Sequence, residues 1–166
     1  RRDRVRSGVS RAGRFDQREE LVEGLVDLSG IVSAGLREVG AQVMTFPRDE
    51  VCDIHYASWN DTVPGKPILL IGHIDTVWPV GTLKQMPMWQ DGARLYGPGI
   101  LDMKAGIALI LKVIGLLHLH GGLPRRPIWA LFNTDEEIGS RQSRELIEKV
   151  AVNTGLALVF EPATEG

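Results

Sequence analysis

The sequence predicts an α/β fold, a layered mixed, mostly parallel sheet flanked by helices. Three observations predict it. Residues 68–71, 128–132 and 156–160 are short continuous apolar runs, the pattern of strands buried on both faces. Helix-forming stretches separate them, as the crossovers between parallel strands require. Each run ends in polar residues: His73 and Asp75, then Asp135, Glu136 and Glu137, then Glu161.

Taken in order, residues 16–28 read as an amphipathic helix. Leu21, Val22, Leu25, Val26 and Leu28 form its stripe, and Asp16, Glu19 and Glu20 suit its first turn. Ser29-Gly30 ends it, and a second helix over 32–39 stops at Gly40. Residues 41–46 and 51–59 read as strands, with a turn rich in Pro, Gly and Asp over 60–67. The buried strand at 68–71 runs into Gly72-His73-Ile74-Asp75-Thr76, and 77–88 reads as a surface loop. Asp91-Gly92 marks a hairpin within 89–96. Gly97-Pro98-Gly99 then turns the chain, Asp102 follows, and the apolar run 107–119 forms a long helix stopped by Gly121-Gly122. After the strand at 128–132 and the run Asn133-Thr134-Asp135-Glu136-Glu137-Ile138-Gly139, Ser140 is the expected N-cap of a helix to about 150. The strand at 156–160 ends at Glu161-Pro162.

Composition bounds the function. With 166 residues, 43% of them hydrophobic, the chain can bury one domain's core. Residues 1–14 hold six Arg and one Asp and read as a basic, disordered, solvated arm, so no nucleic-acid partner is expected. Residues 15–166 carry the folded part. Cys52 is the single cysteine, which excludes an internal disulfide and reads as an inert core thiol. No apolar run reaches the roughly 18 residues of a membrane span, and no secretory h-region follows the arginines, so the expectation is a cytoplasmic protein with no membrane partner.

The chemistry lies where the runs end. In open α/β sheets ligand sites gather beyond the carboxyl ends of the strands. If the three runs are parallel neighbours, their polar ends converge, and Asp102 joins them from the loop that opens the long helix. Several carboxylates cannot crowd together ionised without a cation. One imidazole with carboxylates and no thiolate suits zinc, or less selectively cobalt or manganese. Two such ions about 3.5–4 Å apart can activate water and polarise a carbonyl, with Asp102 placed to bridge them. Asp75, two residues beyond His73 on an extended segment, faces the same side and can orient the imidazole. Glu136 and Glu137 are adjacent and diverge, so one can bind metal while the other stays free as a general base. There is no Gly-x-Ser-x-Gly elbow, and Asp102 occupies the third-glycine position of any phosphate cradle.

Four motifs, Gly72-His-Ile-Asp-Thr-Val77, Tyr96-Gly-Pro-Gly-Ile-Leu-Asp-Met-Lys-Ala-Gly106, Phe132-Asn-Thr-Asp-Glu-Glu-Ile-Gly-Ser140 and Phe160-Glu-Pro162, resemble in order and spacing those of the di-zinc exopeptidases. That family includes glutamate carboxypeptidases, aminoacylases, acetylornithine deacetylases and succinyl-diaminopimelate desuccinylases, and the Asn-Thr-Asp-Glu-Glu run is most similar to the glutamate carboxypeptidase branch. The resemblance covers residues 68–166. It implies that His73, Asp102 and Glu161 hold one zinc and Asp102 with Glu137 the other, two ions in a complete site. Glu136 would be the general base, Asp75 the partner of His73, and the Asp102–Met103 peptide cis. It further implies hydrolysis of the C-terminal amide of a small peptide or acyl-amino acid. Family members also have a second zinc-binding His and a lid or dimerisation domain, and no position here matches either. The chain therefore reads as the N-terminal part of such a catalytic domain, inactive by itself and without support for the family's homodimer. The alternative is a catalytically inactive fragment that serves as a zinc-binding or interaction module.

Overall fold

The computed structural model of the chain describes residues 25 and 27–163. The arginine arm and most of the helix expected at 16–28 lie outside these residues. The first described helix, α1, spans residues 27–38 without a break. Ser29-Gly30, expected to end a helix, lies inside it. The reason is its buried stripe, in which Ser29 and Ser33 alternate with Val32 and Leu36. Small hydroxyl residues continue the buried face where only apolar ones were expected.

Among the described residues five strands form the main sheet: β1 (Gln42–Phe46), β2 (Ile54–Trp59), β3 (Ile68–His73), β6 (Ile128–Asn133) and β7 (Leu156–Val159). Their order is β1-β2-β6-β3-β7. β3 pairs parallel with both β6 and β7, whereas β2 is antiparallel to β1 and β6. Four of the five strands therefore run the same way, among them the three that the apolar runs predicted to be parallel.

Crossovers set the layers. The chain leaves β3, passes through α3 (Ala105–Leu119) to β6, then returns through α4 (Arg144–Ala151) to β7 on the other side of β3. Moves in opposite directions with right-handed crossovers put the two helices on opposite faces. One core layer accordingly joins Val32 and Leu36 of α1 and Ile107, Ile110 and Ile114 of α3 to Leu70, Ala130 and Phe132. The other joins Ile54, Leu69 and Leu131 to Leu146, Ile147 and Val150 of α4. The strand order reverses at β3, so a crevice opens beyond its carboxyl end.

Smaller elements differ from expectation in position. A one-turn helix, α2 (Thr82–Gln85), sits in the loop after β3. The hairpin of β4 (Trp89–Asp91) and β5 (Arg94–Tyr96) pairs Asp91 with Arg94, so Gly92-Ala93 makes the turn, one residue later than Asp91-Gly92. Gly92 takes φ +57°, which a two-residue hairpin asks of its first turn position. Ser140 is not the cap of α4. It has φ +53°, the helix begins at Arg144, and the chain between them is tied to Asp135 instead.

Candidate metal centre

His73 is the last residue of β3 and lies beside Asn133, the last of β6. Glu161 follows the end of β7, and Glu136 and Glu137 lie on a single turn, Glu136–Ile138, just past β6. Asp102 comes from Ile100–Lys104, the wide turn that leads into α3. The Asp102–Met103 peptide is cis.

These positions converge. His73 Nε2 is 2.9 Å from Asp102 Oδ1, 3.5 Å from Glu161 Oε1 and 3.9 Å from Glu136 Oε2. Ligand atoms of His73, Asp102 and Glu137 all lie within 4.8 Å of one another. The imidazole is 1% exposed, whereas the Asp102, Glu136 and Glu161 side chains face the crevice. Asp75 is buried behind His73. Its Oδ1 is 3.3 Å from Nδ1, and its carbonyl oxygen, 3.2 Å away, has the better direction for the ring N–H. Its Oδ2 accepts the Glu137 backbone N–H at 3.0 Å, and Glu137 Oε1 accepts the Val77 N–H at 3.1 Å.

The electrostatics are those of a cation site. Burial alone would lower the pKa of His73, but the Asp75 and Asp102 carboxylates beside its two ring nitrogens and the charge of Glu161 raise it to about 9. A proton on His73 is thus one positive charge among these carboxylates; the Lys104 ammonium, which burial disfavours and the charges of Asp75, Asp102 and Glu137 favour, is another. Burial, and then the charge of Asp102, raises the pKa of Glu137. Glu161 is raised by burial and by Asp102 and Glu136, against the pull of His73. One imidazole and two carboxylates within a single ion's reach, with no thiolate among them, is a donor set that fits a divalent ion such as zinc, cobalt or manganese.

Sequence reasoning missed two supports of this site. Met103 is fully buried, and its sulfur lies 3.1 Å from the His73 backbone nitrogen as an acceptor. A Cβ on Gly72 would stand 2.5 Å from Met103 Cε, and one on Gly106 2.9 Å, so the two glycines make the slot for this side chain. The second support is Asp135, 0% exposed, which was grouped with Glu136 and Glu137 but points inward. Cys52 is buried, and burial raises its pKa, consistent with an inert core thiol.

With this geometry in view, similarity to known proteins is informative. The pattern of peptidase family M20/M25/M40 matches residues 69–165. The chain belongs to that family. It is 45% identical over 102 residues to carboxypeptidase G2 of Pseudomonas sp. (strain RS-16), covering 61% of this chain and 25% of that protein. It is 34% identical over 121 residues to succinyl-diaminopimelate desuccinylase of Rhodopseudomonas palustris, covering 65% and 30%. The chain thus spans between a quarter and a third of the length of these two relatives. The fold matches human carnosine dipeptidase 1 with TM-score 0.70 at 15% identity, over 88% of this chain and 37% of that one. It also matches the M20 metallo-carboxypeptidase Sso-CP2 of Sulfolobus solfataricus with TM-score 0.67 at 19% identity, over 88% and 36%. This M20 chain is therefore part of a metal-dependent hydrolase family. Among its described residues no helix is long and apolar enough to cross a membrane.

Proposed function

We propose that this M20 chain carries the catalytic core of a zinc-dependent hydrolase. Its substrates would be small peptides or acyl-amino acids cleaved at the C-terminal amide, as in the glutamate carboxypeptidase type. The observation that supports this reading most is the meeting of His73, Asp102 and Glu137 within 4.8 Å, with Glu136 and Glu161 beside them. His73, Asp102 and Glu161 would hold one ion, and Asp102 and Glu137 a second, with Asp102 shared. A divalent ion there supplies Lewis acidity, which acidifies water and polarises an amide carbonyl.

The chain's own residues do the rest. Asp75 orients the imidazole so that Nε2 faces the crevice. Glu136 stands at the rim, 3.9 Å from His73 Nε2 and half exposed, where it can take a proton from water and return it to the leaving amine. Glu137 Oε1 accepts the Val77 N–H, which leaves Glu136 the freer of the two carboxylates for that role. The 45% identity to carboxypeptidase G2 supports the carboxypeptidase branch.

The test uses metal content and turnover together. In the full-length protein, Glu136→Ala is expected to keep bound zinc and to lose hydrolysis of N-acyl-glutamates, with other N-acyl-amino acids as the specificity control. Glu137→Ala is expected to lose one ion. Loss of zinc in Glu136→Ala would reverse the two roles. A wild-type chain that binds no zinc would end the metal reading, and a full-length protein that binds zinc without turnover would favour the non-catalytic alternative.

A further inference from the structure

The turn that carries Glu136 and Glu137 is held on its outer side by the Glu137 N–H bond to Asp75 Oδ2 and the Val77 N–H bond to Glu137 Oε1. Glu136 is half exposed, Ile138 is 60% exposed, and the loop runs through Gly139 at φ +90° and Ser140 at φ +53°. Beneath it lies a buried polar cassette. Asp135 Oδ2 accepts the backbone N–H of Gln142 at 2.7 Å and of Ser143 at 3.2 Å. Oδ1 accepts from Asn133 Nδ2 at 3.2 Å, and the Asp135 carbonyl accepts the Ser140 N–H at 2.7 Å. Asn133 Nδ2 also reaches Ser140 Oγ at 3.3 Å and Ser143 Oγ at 3.0 Å. Asn133, Asp135 and Ser143 are all at most 2% exposed.

We propose that Asp135 is the positioning residue of the Glu136–Glu137 pair: its carboxylate gathers the loop over 140–143 onto the end of β6 and thereby fixes where Glu137 meets His73 and Asp102. A buried carboxylate is tolerated only when its oxygens are hydrogen-bonded, and here backbone N–H groups and an amide do this. The cassette is directional. Asn133 donates and Asp135 accepts, so the loop's register relative to β6 depends on which residue carries the acceptor. β6 also carries Asn133 beside His73, so the same pair of residues references the turn to the other half of the site.

This inference rests on the metal reading for its first readout, and a second readout is independent of metal. Cobalt would be titrated into the metal-stripped chain, its visible spectrum followed, and the Val77 amide resonance, bonded to Glu137 Oε1, recorded without metal. In Asp135→Asn the new amide sets donors against donors. The expected result is at least about a tenfold loss of cobalt affinity with a changed spectrum, as when the partners of ligands are removed. The Val77 resonance should shift, and far-UV circular dichroism should stay that of the wild type. The reciprocal swap Asn133→Asp/Asp135→Asn restores one donor and one acceptor, and should restore the affinity, the spectrum and the Val77 shift. Wild-type behaviour of Asp135→Asn would overturn the inference. So would a swap that rescues folding but neither the spectrum nor Val77. A wild-type chain that takes up no cobalt would sink the metal reading, and the Val77 resonance would still decide the role of Asp135.

Discussion

Asp75 serves His73 and Glu137 at once. Oδ2 accepts the Glu137 backbone N–H at 3.0 Å, and Oδ1 lies 3.3 Å from His73 Nδ1. A single buried carboxylate thus ties the end of β3 to the turn after β6. Its Oδ1 makes no well-directed hydrogen bond, so its link to the imidazole is mainly one of charge and orientation.

Asp75→Asn should therefore act through two neighbours. The amide oxygen can still accept from Glu137, but the charge beside Nδ1 is gone. Metal affinity is expected to fall about ten- to a hundredfold, the range found when a ligand's partner is removed. In the metal-free protein the pKa of His73 should drop from about 9 toward its ordinary value, because the charge of the Asp75 carboxylate helps to raise it. Zinc isotherms and an NMR titration of the imidazole measure the two effects. An unchanged His73 titration would show that Asp75 is only a loop anchor.

Met103 fills a slot made by two glycines, and that makes a packing prediction. In Gly72→Ala the new methyl group stands 2.5 Å from Met103 Cε, with Gly106 closing the opposite wall. Overpacking of this kind costs about 1–3 kcal/mol. Met103→Ala alone should cost about 2–5 kcal/mol as a large-to-small core change. The double variant should be less destabilised than the sum of the two, because each change relieves the other. Urea denaturation of the four proteins gives the coupling directly, and strict additivity would show that the slot is not shared.

Much of this was legible in the sequence, for identifiable reasons. The three parallel strands were visible because strands covered on both faces leave uninterrupted apolar runs, and Leu69, Ala130 and Leu131 are indeed fully buried. The convergence of His73, Asp102, Glu137 and Glu161 could be expected because strand ends and a turn-forming Gly-Pro-Gly mark them. What stayed hidden was carried by residues whose partners are distant in sequence. Ser29 and Ser33 continue α1 by burying small polar side chains. Ser140 looked like a cap because the true anchor of that loop, Asp135, bonds residues seven and eight positions ahead. Met103 resembled any apolar residue until the fold placed Gly72 and Gly106 around it.

His55 gives the last prediction, a dependence on pH away from the metal centre. It lies on β2, 4% exposed, hydrogen-bonded to Ser29 Oγ of α1, with Thr45 Oγ1 of β1 at 3.4 Å from Nδ1. Burial lowers its pKa below 6.5, the nearby charge of Asp53 opposes this, and Arg37 adds to it. The unfolded chain therefore binds a proton first as pH falls. Stability from this group is complete above the unfolded value of about 6.5, and is lost as pH drops from there through the lowered folded value. His73 in the metal-free protein has the opposite sign. Its folded pKa is raised to about 9, so its contribution is complete below about 6.5 and is lost as pH rises through 9. Comparing wild type with His55→Gln cancels the His73 contribution. The urea midpoint of the wild type should fall more steeply than that of the variant between pH 7 and about 5, and the two should run parallel from pH 7 to 9. Parallel curves across the acid range as well would mean that His55 keeps its ordinary titration when folded and that the Ser29 contact does not hold it neutral.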